Sequence, residues 1–107
     1  MDKIPVEIKQ IVEKYLALIK SNNINLKSAY LFGSYSKGNF NQWSDIDIAL
    51  VSDYFEGVRM KDRDKIRRIT LSVSSSLEAI PFRTEDFTLE NPLAKEIIET
   101  GISLPIN

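Results

Sequence analysis

Residues 29–38 read Ala29-Tyr30-Leu31-Phe32-Gly33-Ser34-Tyr35-Ser36-Lys37-Gly38, and residues 44–51 read Ser44-Asp45-Ile46-Asp47-Ile48-Ala49-Leu50-Val51. Ala29 to Phe32 is a short apolar run stopped by Gly33-Ser34, the pattern of a buried strand that ends in a turn. Tyr35 to Trp43 is polar and contains glycine, as a loop does. Asp45 to Val51 then reads as a second strand. Successive side chains of a strand point to opposite faces, so Asp45 and Asp47 share one face and Ile46 and Ile48 the other.

Upstream, Ile8, Ile11, Val12, Tyr15, Leu16 and Ile19 recur at three- and four-residue spacing. This predicts an amphipathic helix from about Pro5 to Ser21, with Pro5 in its first turn and a stop near Asn22-Asn23. Downstream, Asp53 to Gly57 read as a connection and Lys61 to about Ser75 as a charged helix with Ile66, Ile69 and Val73 on its buried stripe. Leu77 to Phe82 reads as a third strand, which Pro81 confines to an edge or a strand end. Asn91-Pro92 are a cap and first-turn pair for a helix running to Glu99 or Thr100, closed by Gly101. Ile102-Ser103-Leu104 is a short last strand. The order helix, strand, strand, helix, strand, helix, strand implies an α/β (α+β) domain: a small mixed sheet of about four strands with helices packed on it.

Composition narrows the chemistry. The chain has 107 residues, 43% of them hydrophobic, which suits one folded domain over residues 1–107. It contains no cysteine, so disulfides and thiolate chemistry are excluded, and no histidine. That removes Ser-His and Cys-His nucleophile pairs and ordinary zinc sites. Catalysis is left to carboxylates, hydroxyls, Lys and Arg, backbone amides and hard cations held by oxygen. Fourteen Lys and Arg against fifteen Asp and Glu give a net charge of −1, which argues against nucleic acid as the partner. The segment Met1 to Glu7 lacks the apolar run of a secretory signal, and no stretch approaches the roughly 20 apolar residues of a membrane span. The expected location is the cytoplasm, with no membrane partner.

Asp45 and Asp47 on one strand face would repel one another and raise each other's pKa unless a cation lay between them. Oxygen-only ligands select magnesium or manganese over zinc or copper. The bland alternative is a solvated sheet face, where alternating polar residues are ordinary. Gly33-Ser34 adds a second signal: a turn straight after a strand, whose backbone amides and Ser34 hydroxyl can hold phosphate oxygens, with Lys37 adding charge. Either motif alone is a weak signal; both together, on consecutive strands, are specific.

Gly33-Ser34, ten residues, then Asp45-Ile46-Asp47 resembles the signature of the DNA polymerase beta-like nucleotidyltransferase superfamily. The short chain and the surrounding Leu-Phe-Gly-Ser-Tyr-Ser-Lys-Gly are similar to its minimal nucleotidyltransferases, the MNT proteins. The resemblance spans most of the chain. It implies a polymerase beta-like fold and transfer of a nucleoside monophosphate from a nucleoside triphosphate, ATP here, to a hydroxyl with two Mg2+ ions. It implies that Gly33, Ser34 and Lys37 contact the triphosphate and that Asp45 and Asp47 hold the metals. A third carboxylate on a later strand completes one metal site and helps deprotonate the acceptor. The matching strand offers Glu78 where the superfamily usually has Asp, a departure that moves the carboxylate outward by more than about 1 Å.

The same resemblance implies a HEPN-type ribonuclease toxin as partner, with AMP placed on a tyrosine of it. Occlusion of that partner without catalysis is the second reading, favoured by the Glu at position 78. A small-molecule, antibiotic-type nucleotidyltransferase is the third, and it needs a dimer mate or second domain to build the acceptor pocket. Homo- or hetero-oligomers therefore remain open. Asp53, Glu85 and Asp86 read as turn residues, with Asp86 a distant alternative to Glu78. Arg59, Lys61, Arg63, Lys65, Arg67 and Arg68, diluted by Asp62 and Asp64, read as a solvated basic face or a contact for an acidic partner or RNA. Trp43 reads as a packing or loop-tip residue.

Overall fold

Apolar residues at helical spacing wind Val6–Ser21 into α1, which buries Val12, Tyr15, Leu16 and Ile19. Pro5 stands just ahead of the first turn, not in it, and Asn23 ends the helix at a φ of 64°. The computed structural model describes residues 4–106; Met1 to Lys3, the start of the stretch read above as lacking a signal, and Asn107 lie outside. Strand β1 covers Leu26–Phe32, three residues longer at its start than the apolar run, because Lys27 and Ser28 interrupt the hydrophobic signal.

The segment read as a loop opens instead with a short helix, α2, Ser34–Lys37, between two glycines of positive φ. Its sequence, Ser-Tyr-Ser-Lys, has no helical period. It is pinned by Tyr35, which is buried and stacked on Phe40 at 4.7 Å. Strand β2, Ile46–Ser52, starts one residue after Asp45 and is buried along its length except at Asp47. Helix α3 covers Arg59–Val73, two residues earlier at each end than read from the sequence. Strand β3 is Leu77–Arg83, followed by a 3-10 turn at Thr84–Asp86. Helix α4, Pro92–Thr100, is capped by Asn91, whose Oδ1 accepts from the amides of Leu93 and Ala94. Strand β4 is Ile102–Ser103.

The four strands form one mixed sheet in the order β3-β2-β1-β4. β1 is antiparallel to β2 and β4, and β2 is parallel to β3, with α3 as the crossover. β3 is an edge strand, as Pro81 required. The sheet separates two apolar clusters. On one face Ile46, Ile48 and Leu50 pack with Ala29, Leu31, Leu77 and Ala79 under α1 and α3. On the other, Ala49, Val51 and Phe82 pack with Tyr30, Phe32 and Ile80 under Ala94 and Ile97 of α4. Among the described residues no helix is long and apolar enough to cross a membrane.

Candidate active site

The register of the sheet assembles the site. Asp47 faces Phe32 across the antiparallel β1–β2 ladder and Glu78 across the parallel β2–β3 ladder. Register neighbours point to the same face, so Phe32, Asp47 and Glu78 form one row on the α4 side of the sheet. That row lies at the end where β1 stops and β2 and β3 begin. The next row inward, Tyr30, Ala49 and Ile80, belongs to the apolar cluster under α4. Asp47 thus sits where the buried face of the sheet gives way to solvent.

Gly33 is the piece that lets the row meet the turn. Its φ of 73° and ψ of −143° are open to almost no residue but glycine. A Cβ there would run into the Asp47 carboxylate, with Asp47 Cγ at 3.2 Å. The two halves of the motif, far apart in the pattern, therefore interlock atom against atom. Ser34, Tyr35 and Ser36 open α2, so their amides have no acceptor within the helix. The Ser36 hydroxyl and the Lys37 amide instead donate to the Gly33 carbonyl, at 3.0 and 3.1 Å, and fix the turn.

Asp45 is exposed just ahead of β2, behind a turn in which Asn41 Oδ1 accepts from the Trp43 amide and Ser44 Oγ from the Asn41 amide. Burial, then the charges of Asp45 and Glu78, push the Asp47 carboxyl above the usual carboxylate value of 3.8. Glu78 is turned toward α3, where Arg63 Nη2 donates to its Oε1 at 2.8 Å. Among the described residues no three carboxylates are gathered as a ready-made metal cage. Lys37 does not face the row either: its ammonium is 3.6 Å from Glu96 of α4.

The oxygen-only donors suit a hard divalent cation, which would relieve the repulsion that adds to burial in raising Asp47. The other acidic candidates lie at the opposite end of the sheet. Asp53 follows β2 and is 3.8 Å from Lys27, while Asp86 follows β3 and accepts from Arg83 at 3.1 and 3.2 Å. Trp43 is 84% exposed at a loop tip.

Two residues of α3 carry more than the sequence reading gave them. Asp62, read as a diluting charge on a basic face, is buried and accepts from the amides of Glu56 and Gly57, each at 2.9 Å. Its spacing of four from Ile66 was a signal that it lies on the buried stripe. Arg63 left no such signal, because only the strand register brings Glu78 beside it. A groove of about 420 Å³ between α3 and β3 takes in Arg63, Arg67 and Glu78 together with the exposed Met60 and Leu71.

Comparison with known proteins agrees with this geometry. Residues 8–105 match the family model described as "Polymerase beta, Nucleotidyltransferase", so the chain belongs to that family and is a nucleotidyltransferase. A relative from Methanocaldococcus jannaschii, named "putative protein adenylyltransferase", is 31% identical over 90% of this chain and 92% of its own. Two crystal structures share the fold. One, called a putative nucleotidyltransferase from Sulfolobus solfataricus, has a TM-score of 0.62 and 18% identity, over 92% of this chain and 78% of that one. The other, a toxin-antitoxin with AMP-PNP, has a TM-score of 0.62 and 24% identity, over 89% and 73%.

Proposed function

We propose that this member of the polymerase beta nucleotidyltransferase family transfers AMP from ATP to a hydroxyl, a tyrosine, of a partner protein. We further propose that the partner is a HEPN ribonuclease toxin in the cytoplasm, and that this chain is its antitoxin. The observation that carries the reading is the interlock of Gly33 with Asp47, in register with Glu78, at one end of the sheet. The Methanocaldococcus jannaschii relative, named for protein adenylylation, supports a protein acceptor. The toxin-antitoxin neighbour with AMP-PNP supports a toxin as the protein partner and an adenine nucleotide as the substrate.

In this reading the acceptor oxygen attacks the α-phosphorus, a new P–O bond forms, and the bond to the β-phosphate breaks to release pyrophosphate. The amides that open α2 and the Ser34 hydroxyl receive the triphosphate oxygens, with Lys37 adding positive charge once it leaves Glu96. Asp45, Asp47 and Glu78 would hold Mg2+, which supplies charge neutralisation for the triphosphate and the leaving group. Glu78, nearest to open solvent of the β2–β3 row, accepts the proton of the acceptor hydroxyl.

The test uses ATP labelled at the α-phosphate, magnesium and native cell lysate, with wild type beside Asp45→Ala. Label in one discrete protein band, absent with Asp45→Ala, supports the reading; wild-type labelling by Asp45→Ala removes the assigned site. Label in a small molecule or in RNA moves the acceptor. Capture of a partner without any labelling favours the second reading, an occluding antitoxin, for which the observation is that Glu78 is engaged by Arg63.

A further inference from the structure

We infer that Arg63 is the resident counter-ion of the third carboxylate, holding Glu78 aside until a divalent cation takes its place. The inference rests on the nucleotidyltransferase reading of the Asp45, Asp47 and Glu78 group. Glu78 and Asp47 are neighbours across a parallel ladder, where strands lie about 4.8 Å apart, and their side chains leave the sheet on one face. Two carboxylates so placed repel. The positive charge that answers this comes from outside the sheet. Arg63 reaches across from α3 and donates to Glu78 Oε1 at 2.8 Å.

That contact is built to be exchanged. It is a single hydrogen bond between side chains that are 51% and 47% exposed, so it is weakly stabilising and opens readily. A dication between the aspartates offers Glu78 twice the charge of a guanidinium. The glutamate also gains a purpose. Its side chain, one methylene longer than that of an aspartate, gives the carboxylate the reach for two stations, one at Arg63 and one toward Asp47. Arg63, once released, faces the groove between α3 and β3 with its charge free for an anionic group. Arg63 is thus a positioning residue, acting through Glu78.

The test is Mn2+ binding to the purified protein without nucleotide, read from the electron paramagnetic resonance signal of free Mn2+. The variants are Arg63→Met, Arg63→Lys, Glu78→Gln, Arg63→Met with Glu78→Gln, and Asp47→Asn. Arg63→Met is expected to tighten Mn2+ binding about three- to tenfold, and Arg63→Lys to return most of the way to wild type. With Glu78→Gln present, Arg63→Met is expected to change the affinity less than about twofold. Unchanged or weaker binding by Arg63→Met overturns the inference, as does equal tightening with and without Glu78, which would be a general charge effect. In either of those cases weakened binding by Asp47→Asn leaves the nucleotidyltransferase site standing. Wild-type binding by Asp47→Asn, or no saturable binding by any variant, overturns both.

Discussion

At position 33 the space allows one hydrogen atom. A methyl group there meets the Asp47 carboxylate and a backbone conformation closed to alanine. Gly33→Ala is expected to cost about 1–3 kcal/mol of stability and to cut nucleotidyl transfer about 100-fold, since a 1 Å displacement at a reacting centre has that effect. Denaturant melts and the labelled-ATP assay separate the two losses. Asp47 carries a second expectation. A carboxyl whose pKa rises on folding burdens the folded state wherever it is ionised; the burden is full above the folded pKa, fades as pH falls through it, and is gone well below the unfolded value of 3.8. Because Asp47 is only partly buried, that burden is a few tenths of a kcal/mol. Asp47→Asn should therefore raise Tm by about 1–3 °C at pH 7, a gain that disappears at about pH 3; a constant gain across that range would contradict the assignment. The turn at Gly33-Ser34 and the strand that carries Asp47 were legible in the sequence because a strand, a turn and a period of two are local facts, although Asp45 falls one residue ahead of that strand. The contact of Arg63 with Glu78 was not, because it depends on which strand lies beside which.

Among the elements, α3 shows how charge patterning conceals structure. Its surface is a run of Arg and Lys, yet Asp62 turns inward and holds the connection from β2 by two backbone amides. Asp62→Ala leaves those amides without an acceptor and is expected to cost about 2–3 kcal/mol, with Tm lower by about 10 °C or more. Faster hydrogen exchange at Glu56 and Gly57 would localise the damage, and unchanged exchange there would argue against the anchor. Asp62→Asn, which keeps an acceptor, should fall between. The long helices and central strands were legible from their periods. α2 escaped because four residues have no period, and it owes its shape to Tyr35 against Phe40 and to glycines at both ends.

At the scale of the whole molecule, α1 and α3, the layer on one face of the sheet, are tied together by a buried polar contact, Tyr15 to Thr70 at 2.7 Å. Burial pushes the Tyr15 hydroxyl from 10.0 up to about 12, against the smaller opposing effect of the Thr70 hydrogen bond. Stability from this hydroxyl is full below pH 10.0, where both states are protonated, and is lost as pH rises from there through about 12. Tyr15→Phe is expected to lower stability by about 1 kcal/mol at pH 7, yet to flatten the alkaline decline, which melts at pH 7, 10 and 11.5 would show. The sheet order and the meeting of three strand ends were not legible, since long-range pairing leaves no trace in local spacing; the fold class was, because helix and strand alternate. One seat in that sheet also bears on descent. Glycine at position 33 answers two demands at once, the space that the position 47 carboxylate leaves and a backbone shut to other residues, so along a lineage loss of the aspartate lifts only one of them. The glycine therefore outlasts its partner, and a descendant that keeps the first without the second still carries the mark of the site it came from.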